Sequence, residues 1–107
     1  MKVFISQPMS GLEIDEIKET RKKAINYVAD YIINNKLLTD VTDITVIDNL
    51  QEDKDPLTTH PLEYLGNDII KLKDADLICF AEGWEKSRGC NIEFQVAKHY
   101  NINMIFM

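Results

Sequence analysis

Apolar positions along this chain follow two periods, and the switches between them mark its elements. Lys2–Ser6 is a short β-rich run closed by Pro8 and Gly11, which predicts a buried strand followed by a turn. From Leu12 to Asn35 the spacing is helical, with Ile14, Ile17, Ala24, Val28 and Ile32 at three- and four-residue steps and Asn34–Asn35 as a stop. Ile44–Asp48 predicts a second strand. Asn49–His60 is polar, carries Pro56 with Glu52, Asp53 and Asp55, and predicts a mobile loop. Pro61 opens a second helix whose apolar positions are Leu62, Leu65, Ile69 and Leu72. Asp76–Ala81 predicts the third strand, Cys90–Tyr100 the third helix and Ile102–Phe106 the last strand.

The order βαβαβαβ implies an α/β fold with a four-stranded, mostly parallel sheet and right-handed crossovers. Ligands bind such sheets outside the carboxyl ends of the strands, where strand order reverses. The ends here are Ser6, Asp48, Ala81 and Phe106. Ser6 and Ala81 each lead through a polar turn into a helix, and that pairing is the first argument for a site.

Composition narrows the function classes. At 107 residues the chain is expected to be a single domain, 1–107, with 45% hydrophobic residues to build one core. A net charge of -6 argues against non-specific nucleic-acid binding, while leaving a small anionic ligand open to local amides and an arginine. Met1–Ser6 runs directly into a strand, no apolar run approaches a membrane span, and Cys79 and Cys90 have neither CxxC nor metal-ligand spacing. The expectation is a cytoplasmic protein with no membrane partner, metal or cofactor.

Glu93 has the strongest claim to chemistry. The bland alternative is an exposed helix glutamate, but this one neighbours an apolar face of Cys90, Ile92, Val96 and Ala97 at the ligand-facing end of the sheet. Helix-end amides and Arg88 predict an ionised carboxylate, although burial opposes it. Ionised carboxylates attack electrophilic sugar carbons. Ser87, Arg88 and Gly89 can present a hydroxyl, a guanidinium and helix amides to a phosphate; an ordinary helix cap at Ser87 explains them too. Ser6, Ser10 and Gly11 permit close backbone approach in the first turn, as would any tight turn around Pro8. Trp84 offers either a wall for a planar base or a loop anchor. Arg21 interrupts an apolar stripe, so it either buries its stem or pairs with an acid at a strand end. Cys90 is expected to be a packed helix cysteine rather than a reactive thiol.

With Phe-Ile-Ser-Gln-Pro-Met-Ser-Gly at 4–11, Ala-Asp-Leu-Ile-Cys-Phe at 75–80 and Gly-Trp-Glu-Lys-Ser-Arg-Gly-Cys-Asn-Ile-Glu at 83–93, the chain resembles small bacterial and phage proteins of the DUF4406 family. That family is placed in the nucleoside 2-deoxyribosyltransferase superfamily. The resemblance implies a flavodoxin-like three-layer sandwich and cleavage of the bond between a base and (deoxy)ribose, with transfer of the sugar to another base or to water. It implies Glu93 as nucleophile and Asp76 as the acid handling the base. Ser87 and Gly89 would meet the 5′ end of a nucleoside or nucleotide, and Ser6, Gln7, Pro8, Met9, Ser10 and Gly11 would line the sugar and phosphate side. The superfamily has a fifth strand and a terminal helix beyond the four strands seen here. Cover from a partner is therefore expected: a homodimer or higher even homo-oligomer through the second helix, with Leu62, Tyr64, Leu65 and Ile69. Two other classes stay open, a non-catalytic nucleotide-binding or sequestering module and a structural oligomer with a vestigial pocket.

Overall fold

The computed structural model describes residues 1–37 and 43–107. Its elements run β1 (Lys2–Ser6), α1 (Ile14–Asn34), β2 (Thr45–Val46), α2 (Pro61–Lys71), β3 (Leu77–Phe80), α3 (Arg88–His99) and β4 (Asn103–Phe106), with single 3₁₀ turns at Leu72–Asp74 and Trp84–Lys86. The four strands form one all-parallel sheet in the order β2-β1-β3-β4. The chain passes outward from β1 to β2, then crosses back to β3 and β4, so the reversal lies between β1 and β3. This is a flavodoxin-like sandwich.

Side chains of β1 alternate across the sheet as strand geometry requires. Val3 and Ile5 join Leu77, Cys79 and Ile105 beneath Ala24, Val28 and Ile32 of α1. Phe4 packs on the opposite face with Ile78, Phe80, Leu72 and, from α3, Ala97. The α1 stripe holds as expected except at Ile14, which is exposed in the first turn.

The second strand is shorter than Ile44–Asp48. Thr45 N donates to Met1 O at 2.8 Å and Ile47 N to Val3 O at 2.8 Å, but the next acceptor, Ile5 O, is met by the Asn49 side chain at 3.0 Å. A buried side-chain amide thus completes the ladder where the backbone turns away. Helix α3 begins at Arg88, two residues before its expected start, because Ser87 caps it by accepting from Cys90 N at 3.3 Å. His60 caps α2 likewise, Nδ1 accepting from Leu62 N at 3.0 Å. Among the described residues no helix is long and apolar enough to cross a membrane.

Candidate functional site

Ser6 ends β1 and pairs in register with Phe80 of β3, so it stands at the carboxyl edge where strand order reverses. By alternation with Phe4 it faces α3. Its Oγ donates to Glu93 Oε1 at 2.7 Å, and both residues are buried, Glu93 to 5% exposure. One turn earlier on α3, burial raises the Cys90 thiol, and the hydroxyls of Ser6 and Ser87 act against that rise. The two strand-to-helix turns also lie side by side, close enough that a Cβ added at Gly83 would meet Pro8 Cγ at 3.7 Å.

The expectation of an ionised Glu93 fails. Burial pushes its carboxyl up to about 8, Asp68 pushes the same way, and the Ser6 hydroxyl only partly offsets them. Burial and Asp68 therefore both favour the neutral form of Glu93. With α3 starting at Arg88, Glu93 is its sixth residue, beyond the unpaired amides of the first turn. Arg88 itself stands exposed at the helix start.

Asp76 is not part of this arrangement. It precedes β3, and its Oδ2 accepts from Lys2 N at 2.8 Å at the amino edge of the sheet. Lys2 and Ser6 lie at opposite ends of β1, about 13 Å apart at strand rise. Asp76 is exposed and fastens the start of the strand.

The carboxylate that does accompany Glu93 is Asp68, which is not among the residues expected from the sequence. It is buried on α2, and its Oδ1 accepts from Gln51 Nε2 at 2.8 Å. Burial pushes Asp68 up to about 6, opposed by Gln51, Lys71 and Arg21. Ionised Asp68 in turn raises Glu93 and the Cys90 thiol, so both α3 groups lie within its field. Its signal was present in the α2 spacing, for Asp68 falls three residues after Leu65 and four before Leu72, inside the apolar stripe.

Arg21 binds at a strand end, but to a side-chain amide and a backbone carbonyl rather than to an acid. Nη1 donates to Asn49 Oδ1 at 2.8 Å and Nη2 to Ile47 O at 2.7 Å, with Asp48 and Asp68 offsetting the cost of its partial burial. Segment 48–54 is thereby strapped across the carboxyl edge between α1 and α2. A cleft of about 580 Å³ opens between this strap and α2, lined in part by Asp48, Gln51, Asn67 and Lys71. Gln51 touches both this cleft and Asp68.

The remaining candidates divide. Gln7 is buried on the α1 side, its Nε2 donating to Ile17 O at 2.8 Å while Oε1 has no partner among the described residues. Pro8 and Met9 are half-buried, and Ser10 and Gly11 are exposed in a turn closed by Leu12 N on Met9 O at 3.1 Å. Gly11 has φ +78°, so the turn itself requires it. Gly89 lies against Leu65 of α2. Trp84 takes the loop-anchor role, its ring centroid 5.1, 5.4 and 5.3 Å from those of Phe80, Phe94 and Phe106. Cys90 is a packed thiol that burial raises, and burial pushes Cys79 up to about 12. Among the described residues no three His, Cys, Asp or Glu side chains group as a metal site.

Residues 1–106 match the family model described as domain of unknown function (DUF4406). No curated protein and no solved structure matches the chain.

Proposed function

The chain belongs to the DUF4406 family, and for it we propose N-glycosidic chemistry on a nucleoside or nucleotide, with Glu93 as the nucleophile. The observation that supports this reading most is the buried Glu93 carboxyl held at 2.7 Å by Ser6 at the reversal point of the sheet. A glutamate is rarely buried without a partner or a task, and this one lies within the field of a second buried carboxyl, Asp68.

The pair carries one proton at neutral pH, since the two groups titrate near 6 and 8. One carboxylate and one carboxylic acid is the stoichiometry that retaining glycoside chemistry needs. That proton rests mainly on Glu93, and the reactive arrangement is the one in which it has passed to Asp68. Glu93 then attacks the anomeric carbon as the C–N bond breaks, and the departing base takes the proton from Asp68. Water or a second base, losing its proton to Asp68, then attacks the anomeric carbon and breaks its bond to Glu93, so that hydrolysis or transfer restores both carboxyls. Asp68 thus takes the role that the resemblance gave to Asp76.

A non-catalytic nucleotide-binding module is the second reading, favoured by the low exposure of Glu93 and by a separate open polar cleft lined by Asp48, Gln51, Asn67 and Lys71. The two separate by incubating the protein with a panel of nucleotides and reading released base by mass spectrometry, with Glu93→Ala in parallel. Release that Glu93→Ala abolishes supports catalysis. Tight binding by calorimetry without release supports the module and ends the catalytic reading.

We further propose a homo-oligomer in a reducing compartment. Both cysteines are free, and α2 exposes Leu62 at 68% and Ile70 at 61% rather than Leu65 and Ile69. Tyr64 is half-buried in the single chain. A monomer at micromolar concentration by sedimentation would refute the oligomer.

A further inference from the structure

Gln51 belongs to a polar loop, yet it is buried and its backbone lies in the left-handed region at φ +55°. Residues other than glycine, asparagine and aspartate rarely adopt that conformation unless their contacts over-determine it. Its side-chain amide supplies those contacts. Nε2 donates to Tyr64 O at 2.9 Å and to Asp68 Oδ1 at 2.8 Å, and Oε1 accepts from Asn67 Nδ2 at 3.0 Å. Both Nε2 hydrogens are committed. Reversing the amide would set Oε1 against a carbonyl and a carboxylate, so only one orientation fits.

We infer that Gln51 is the positioning residue of Asp68: by holding Oδ1 it leaves Oδ2 as the oxygen that gives and takes the proton. The inference rests on the reading of Asp68 as the acid beside Glu93. An oxygen that already accepts an N–H is the poorer site for a proton, so the free oxygen carries it. The charged groups around Asp68 are Arg21 from α1, Lys71 from its own helix and Glu93 from α3, with the Cys90 thiol nearby; Asp48 on the strap faces Arg21. Among the influences that favour ionised Asp68, the bond from Gln51 outweighs Lys71 and Arg21. The strap therefore does more than wall the cleft, since through Gln51 it sets both the aim and the acidity of the buried carboxyl.

The test is an NMR titration of the full chain, following the Asp68 carboxyl carbon and the Gln51 side-chain N–H protons. In the wild type both sets of shifts move with one midpoint near 6. In Gln51→Met, which keeps the length but removes the donor, the Asp68 midpoint rises by about one pH unit. The acid limb of any base-release profile moves the same way. A folded Gln51→Met with an unmoved midpoint overturns the inference. So do wild-type Gln51 N–H shifts that ignore the Asp68 titration, a result that decides the matter even if Gln51→Met does not fold. Absence of base release with every nucleotide would end the glycosidase reading while leaving the titration to judge Gln51.

Discussion

Ser6 Oγ donates to Glu93 Oε1 at 2.7 Å across 87 positions of sequence, tying the end of the first strand to the middle of the last helix. The hydroxyl favours the anion, and burial with Asp68 opposes it. Ser6→Ala removes the one influence among the described residues that lowers the Glu93 pKa. The variant is expected to lose about 1 kcal/mol of stability in urea unfolding. Its basic limb of activity should move above the wild-type position near 8. An unmoved limb would show that the hydrogen bond does not act on Glu93.

The coupled carboxyls predict a bell-shaped profile of kcat/KM against pH. Activity rises through about 6 as the second proton leaves the pair and falls through about 8 as the last one does. A profile flat from pH 5 to 9 would contradict the paired mechanism.

Stability should run against this arrangement. The Glu93 pKa rises from 4.5 unfolded to about 8 folded, so the folded state binds the proton more tightly. The stabilising contribution is complete below about 4.5 and is lost as pH rises through 8. Asp68 acts in the same direction between 3.8 and about 6. Glu93→Gln keeps an acceptor for Ser6 without a titrating group. It should be a few kcal/mol more stable than the wild type at pH 9, with the difference shrinking toward pH 4. Thermal unfolding at the two pH values checks this, and equal melting temperatures at pH 9 would refute it.

Asp76 and Asp68 make a paired test of the proposed assignment. Asp76→Asn weakens one exposed bond to Lys2 N, so it should cost at most about 1 kcal/mol and leave base release intact. Asp68→Asn should remove the acid and reduce release by on the order of a hundredfold. The opposite pattern would restore Asp76 to the site.

The sequence made the Ser6–Glu93 meeting legible because each residue sits at a strand-to-helix junction, and chain direction in a parallel sheet sends both junctions to one edge. The same rule puts Asp76, which precedes its strand, at the other edge; the family resemblance had overridden it. Asp68 is legible as an acid inside the Leu65–Leu72 stripe, although the apolar residues around it dominate the pattern. The charge of Glu93 was misjudged because the helix starts at Arg88, which moves Glu93 past the free amides. Asn49 and Gln51 carried no signal. Their side chains replace backbone pairing inside an irregular loop, and that follows from tertiary packing alone.

The nucleophile is tested most directly by locating the sugar. The protein is mixed with the nucleotide it cleaves fastest, quenched in acid, digested, and its peptides weighed by mass spectrometry. A glycosyl group on Glu93 in the wild type is the predicted result, with no adduct in Glu93→Gln and base release there slowed by at least about a thousandfold. An adduct on another residue, or wild-type release from Glu93→Gln, would contradict the account.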